Sequence, residues 1–155
     1  MIIKTDRCLI REFMEKDLDS FMSYRNNADW MKYQGFKNLT KSAYRERLIV
    51  NVDLNIGTQL AIIKKNTDQL IGDLYLKKQK DQCQLGYTIN PSSARSGYIQ
   101  EVIIGIIAWL KENDVKQLRA EVDAHNIASI KLLKKLGFVY QGLNTEYDDV
   151  YTMNI

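Results

Sequence analysis

The chain has 155 residues, 45% of them apolar and 26% charged, with a net charge of +3, the size and composition of one globular domain with one continuous core. The apolar run over residues 102–110 is shorter than the roughly 20 residues a membrane-spanning helix needs, and Lys4, Asp6 and Arg7 interrupt the N-terminus where a secretory signal would be apolar. Basic residues are spread without an aromatic-and-basic stripe, which argues against a nucleic-acid binder, and Cys8 and Cys83 lack a CxxC partner, so they read as two buried reduced thiols rather than a metal or redox motif.

In chain order, residues 8–13 read as a strand and residues 16–27 as a helix with Leu18, Phe21 and Met22 on one face. Thr40 offers a hydroxyl to cap a second helix running to about residue 50. Residues 60–65 and 70–77 flank the turn residues Asn66, Thr67 and Asp68, which predicts a hairpin. Over residues 82–89, Cys83, Leu85, Tyr87 and Ile89 alternate with Gln82, Gln84, Gly86 and Thr88, the period of a strand with one buried face. Residues 98–112 are apolar nearly all round; the β-branched content favours a strand, but length and position favour a buried helix. Residues 117–124 alternate again, with Leu118, Ala120, Val122 and Ala124 inward. Asn126 is placed to cap a helix carrying Ile127, Ile130, Leu133 and Leu136 at helical spacing, and Gly137 closes it. Residues 138–141 and 150–153 read as a last hairpin. No repeat or linker divides the chain, so a single domain over residues 1–155 is expected, a strand-rich α/β sheet with a βαβ crossover from 82 to 124.

The turn NPSSARSGYIQE inside that crossover runs from a strand into a helix. A helix N-terminus presents unpaired N–H groups and a positive dipole end, which suit a pyrophosphate. Ser92, Ser93, Ala94, Ser96 and Gly97 would admit a ligand close to the backbone, and Arg95 adds charge. A plain strand-to-helix turn has similar composition, so the turn alone does not decide the matter.

The segment RAEVDAHNIASIKLLKKLGFVYQG, residues 119–142, resembles the closing motif of GNAT N-acetyltransferases, with Val122-Asp123, then Asn126, Ser129 and Leu136-Gly137-Phe138. Within that superfamily it is most like the ribosomal-protein-alanine N-acetyltransferase branch. LGYTINP and SGYIQE resemble the family's fourth strand, acetyl-CoA loop and helix, and LIREF and residues 29–33 resemble the same branch. The resemblance covers essentially the whole chain. It implies an α/β (α+β) fold with a mixed, mostly antiparallel twisted sheet of six to seven strands, about four helices and the central crossover. It also implies transfer of an acetyl group from acetyl-CoA to a primary amine, a protein N-terminal α-amine or a small molecule, by direct attack in a ternary complex.

The same resemblance assigns tasks. The backbone N–H of Ile89 would stabilise the oxyanion. Backbone amides of Arg95, Ser96, Gly97, Tyr98 and Ile99 would hold the pyrophosphate; apart from the resemblance, Lys131 and Lys134 could neutralise the CoA 3′-phosphate or simply form a solvated helix face. Asn126 and Ser129 would contact the pantetheine arm, with Ser129 donating to the leaving thiolate. The resemblance supplies no base here: it comes from elsewhere, with Glu101, Asp73 and Glu121 as the candidates, or acts through water. No metal is implied, the expected location is the cytoplasm, and no nucleic acid or membrane partner is expected; a homodimer is left open.

Three departures from the family pattern stand out. Ala94 replaces a Gln or Arg and Ile99 a small residue in the Q/R-x-x-G-x-G/A loop, Leu133 stands where many relatives place a tyrosine, and residues 82–90 contain no carboxylate. Leu133 leaves Ser129 as the candidate donor, while Ala94, Ile99 and the missing carboxylate favour, as a rival, a non-catalytic acyl-CoA-binding or interaction module with a degenerate site. His125, with no carboxylate orienting it in sequence, reads as a solvent-facing loop residue, and Trp30, Tyr33 and Phe36 read as core. The missing carboxylate favours low-pKa α-amine acceptors, whereas Glu146, Asp148 and Asp149 of the last hairpin would suit a polyamine.

Overall fold

The computed structural model describes residues 2–155. Its strands are β1 (Ile2–Lys4), β2 (Cys8–Arg11), β3 (Thr58–Lys64), β4 (Gln69–Gln79), β5 (Gln82–Ile89), β6 (Gln117–Val122), β7 (Val139–Leu143) and β8 (Asp149–Asn154). Its helices are α1 (Leu18–Arg25), α2 (Lys41–Leu48), α3 (Tyr98–Glu112) and α4 (Ile127–Leu136). The strands form one sheet in the order β1-β2-β3-β4-β5-β6-β8-β7. Neighbours are antiparallel except β5 and β6, which are joined in parallel by the crossover through α3. The mixed, mostly antiparallel sheet with four helices is therefore as expected, but it has eight strands rather than six or seven. The added strand is β1, where Ile3 pairs with Ile10; only three residues long, it is too short to show a period.

Strand β3 explains how the sheet is buried on both faces. Leu60 and Ile62 enter one apolar cluster with Val102, Ile103, Ile106 and Leu110 of α3. Ala61 and Ile63 enter the other, with Leu18, Phe21 and Tyr24 of α1 and Tyr44 and Leu48 of α2. Alternate residues of one strand point to opposite faces, so a strand covered by helices on both sides is apolar throughout. Both cysteines are buried with free thiols, and burial pushes the Cys83 thiol up to about 11.

Helix ends follow side-chain chemistry. Thr40 caps α2 by accepting the Ala43 N–H at 3.1 Å, while α1 starts later than residue 16. The Asp17 carboxylate accepts the Met14 N–H at 2.8 Å and pairs with Arg11 at 2.7 Å, which holds Glu15–Asp17 in a tighter turn. Helix α3 has the expected bounds, though Ile104 lies on an open face. Strand β6 stops two residues before Ala124, because the Asp123 side chain turns onto the His125 N–H at 2.8 Å and ends the extended run. In β5 the alternation holds for Cys83 and Leu85 but not beyond, where Thr88 is buried and Tyr87 and Ile89 are partly open. That change coincides with the point where β6 leaves β5.

Candidate active site

Strands β5 and β6 pair only through Gln82–Gln117, Cys83–Leu118 and Gln84–Arg119, then separate. The gap is a cleft of about 630 Å³ walled by β5, β6, the start of α4 and the segment 33–36. A parallel pair parted in this way leaves the inner edge of each strand without a partner, and its N–H groups are free for a ligand.

The register of β4 with β5 decides which N–H faces the gap. Gly72 is opposite Ile89, and the Asn90 N–H donates to the Ile71 carbonyl at 2.7 Å. In an antiparallel ladder, bonded and non-bonded residues alternate. Asn90 and Thr88 therefore turn their amides toward β4, and Ile89 turns its N–H toward the gap. The Ile89 carbonyl on the same side accepts the Trp30 indole N–H at 2.8 Å, which pins the end of β5 at this point. A Cβ on Gly72 would come within 2.5 Å of the Thr88 carbonyl oxygen, so only glycine allows β5 to lie this close.

The loop after Ile89 is shaped for an anion. Asn90 caps a short turn by accepting the Ser92 N–H at 3.0 Å. Arg95 and Gly97 then take left-handed conformations with φ of 61° and 78°, and α3 begins with no side chain capping its first N–H groups. A Cβ at Gly97 would meet nothing nearer than the Arg7 guanidinium at 3.6 Å, so the space over the loop is open. These residues fit a pyrophosphate. Ile99 is buried against the core and points away from the loop, so its bulk does not obstruct the space that the family pattern keeps small. The sequence did not signal Arg7: it donates to the Ser96 carbonyl at 3.0 Å, lies over the Tyr98 ring and pairs with Glu101 at 2.7 Å.

That ion pair relocates Glu101. Its carboxylate receives the Thr5 hydroxyl, the Arg7 backbone N–H at 2.9 Å and the Arg7 guanidinium, and it does not line the cleft. Burial alone would push its carboxyl up, but the bonds from Thr5 and Arg7 outweigh that and hold it below the usual carboxylate range. Glu101 ties α3 to the β1–β2 turn and is not positioned as a base.

At the opposite wall, Asn126 caps α4 by accepting the Ser129 N–H at 3.3 Å. Ser129 Oγ lies 2.6 Å from the hydroxyl of Tyr87, which reaches across from β5. Both side chains line the cleft with Asn126, and Leu133, closed to bulk solvent, lines it deeper in. Periodicity had placed Tyr87 among core residues. Lys131 is exposed on α4.

Beneath the cleft, Asp73 is fully buried and receives hydrogen bonds from Tyr24, Arg25 and, at 2.6 Å, Gln59. Arg25 also donates to the carbonyl of Gly35 at 3.1 Å, and Thr88 bonds Gln34, so this network holds the 33–36 wall. Both Asp73 oxygens are taken up by Tyr24, Arg25 and Gln59, which gives this side chain a structural task. Glu121 lines the cleft and pairs with Arg119 at 3.1 Å. Trp30 and Tyr33 are 38% and 37% exposed rather than core, and Phe36 packs on Phe21 and Tyr44 at the cleft edge. His125 does have an orienting carboxylate, Asp123, 3.0 Å from its Nδ1, and Tyr33 stacks on its ring. The imidazole is still 81% exposed. Among the described residues, no group of His, Cys, Asp and Glu is arranged to hold a metal ion, and no helix is long and apolar enough to cross a membrane.

A family model described as "Acetyltransferase (GNAT) domain" matches residues 7–139. The chain is similar to the uncharacterized N-acetyltransferase YoaA of Bacillus subtilis (strain 168), with 25% identity over 154 residues that take in 94% of this chain and 87% of that protein. In fold it is similar to an acetyltransferase (GNAT family) from Bacillus anthracis, with TM-score 0.85, 24% identity and coverage of 100% and 98% of the two chains. It is likewise similar to RimL, a ribosomal L7/L12 alpha-N-protein acetyltransferase in complex with coenzyme A, with TM-score 0.85, 15% identity and the same coverage of 100% and 98%.

Proposed function

The chain belongs to the GNAT acetyltransferase family, and from that premise we propose that it moves an acetyl group from acetyl-CoA to a primary α-amine, as one acetyltransferase domain over residues 1–155 working in the cytoplasm. The observation that carries this reading is the parting of β5 from β6, which leaves a cleft lined by Asn126 and Ser129, with the Ile89 N–H at the end of β5 turned toward the gap and the uncapped start of α3 next along the chain. When acetyl-CoA is bound it supplies an activated thioester. The amides of residues 95–99 hold its pyrophosphate, with Lys131 toward the 3′-phosphate, and Asn126 faces the pantetheine arm. The Ile89 N–H donates to the carbonyl oxygen as negative charge develops there. The amine nitrogen forms the new C–N bond, the C–S bond breaks, nitrogen gives up one proton to solvent and sulfur gains one, with Ser129 donating a hydrogen bond to the departing sulfur.

The α-amine preference rests on proton affinity. An α-amine ionises at about 7.7–8.0 and a lysine side chain at about 10.4, so only the former is substantially neutral near pH 7.5. Asp123 is held below the usual carboxylate range by the His125 backbone N–H and ring, Glu121 pairs with Arg119, and Asp73 is locked in its network. A fold neighbour named as an alpha-N-protein acetyltransferase is in keeping with this. Asp148 does line the cleft, so the test is competition between a lysine-free peptide with a free α-amine and spermidine, read as CoA release. Faster turnover of the peptide is expected. Preferential acetylation of spermidine would overturn the α-amine assignment, and no CoA release with any amine would favour a non-catalytic acyl-CoA binder.

A further inference from the structure

The bond between Tyr87 and Ser129 spans the gap between β5 and α4, and a single hydrogen lies between the two oxygens, 2.6 Å apart. Which hydroxyl supplies it decides what Ser129 can do. A phenol, with an ordinary pKa near 10, is a far stronger acid than an aliphatic alcohol, so the phenol is the better donor and the serine oxygen the better acceptor. Burial pushes the Tyr87 hydroxyl up to about 12, opposed only by its bond to Ser129, and it keeps its proton throughout the working range. The Tyr87 hydroxyl lies 2.6 Å from Ser129 Oγ and 3.5 Å from the Ser129 carbonyl oxygen, and the shorter contact takes its hydrogen. With one lone pair already occupied from the β5 side, and its backbone N–H held by Asn126, Ser129 is left with its own hydrogen to give to the cleft that both side chains line.

We propose that Tyr87 is a positioning residue that holds the Ser129 hydroxyl as a donor aimed at the leaving sulfur, taking the place of the tyrosine that this chain lacks at Leu133. The proposal rests on the reading of Ser129 given above. It transfers no atom: the phenol keeps its proton and sets the direction of the serine O–H.

Tyr87→Phe keeps the ring and removes only the hydroxyl, so it tests the proposal with the full-length protein. Its kcat should fall by roughly 10-fold or more while the KM for acetyl-CoA stays within about 2-fold, the pattern of a contact made only in the transition state. In the Ser129→Ala background the same change should have no further effect, because residues acting as one unit are not additive. A fluorinated tyrosine at position 87, more acidic than tyrosine, should introduce an alkaline loss of kcat that the unmodified protein does not show over the same pH range, and the loss should be absent in Ser129→Ala. That readout holds even if Tyr87→Phe folds poorly. An equal loss from Tyr87→Phe in the presence and absence of Ser129 would overturn this proposal and leave the reading of Ser129 standing. Full turnover in Ser129→Ala alone would overturn both.

Discussion

Glu101 and Tyr87 exchanged the roles that one-dimensional reading gave them. Glu101 sits in the first turn of α3, where a carboxylate near a presumed cofactor loop reads as a base, yet both its oxygens face Thr5 and Arg7. Tyr87 obeys the strand period and so reads as core, but β6 has left its side by that point and its hydroxyl meets Ser129. Periodicity reports which face a residue takes, not what stands opposite it. His125 had its carboxylate two positions upstream at Asp123, a local signal that was present and missed. The expected consequence is that Glu101→Gln keeps kcat within about 3-fold while lowering stability at pH 7 by about 1 kcal/mol, below the roughly 1.5–3 kcal/mol of a buried hydrogen bond to a charged group because the Arg7 partner is exposed. The sign of its pH dependence follows from the depressed carboxyl. Its stabilisation is complete above the unfolded value of about 4.3 and is lost as the pH falls through the lower folded value. Thermal unfolding at pH 7 should therefore separate the variant from the parent, and in strong acid the two should converge. A large loss of kcat at pH 7 in a folded variant would restore Glu101 as a base.

Elements were more legible than contacts wherever local chemistry dictates them. Helix α3 keeps its expected bounds because Gly97 supplies a left-handed start, and α4 keeps its start because Asn126 caps it and its end because Gly137, at φ 97°, closes it. Strand β1 could not be read, since three residues carry no period and exist as a strand only through pairing with β2. The early end of β6 was likewise set by a side chain, Asp123, rather than by loss of alternation. The loop between β5 and α3 carries the sharpest test at this scale. Gly97→Val places a branched side chain at φ 78°, a conformation L-residues seldom take, in the open space above the uncapped amides of α3. It should weaken acetyl-CoA binding by at least about 10-fold, read by titration calorimetry. Unchanged affinity would show that the loop is not where the pyrophosphate sits.

For the whole molecule, the decisive event is the parting of β5 from β6 after only three paired positions. No stretch of sequence encodes it alone. Strands β4 and β8 hold the two along their outer edges, and the first turn of α4 stands at the gap with Ser129 against Tyr87. The fold thus leaves a sheet open at its centre, with the Trp30–Ile89 bond on one lip and Tyr87–Ser129 across the other. Such a gap forgoes ladder hydrogen bonds that a closed sheet would make, and a ligand that supplies partners to both lips should raise stability in proportion to its occupancy. Acetyl-CoA at 100 times its dissociation constant should add about 2.7 kcal/mol, which for a chain of this size raises the melting temperature by roughly 5–10 °C. Free CoA should do nearly as well if the pyrophosphate loop supplies most of the affinity, while acetyl-pantetheine, which lacks the nucleotide, should do far less. A midpoint unmoved by millimolar acetyl-CoA would refute the assignment of this cleft to that co-substrate, and an equal shift from acetyl-pantetheine would place the affinity at Asn126 and Ser129 rather than at the loop.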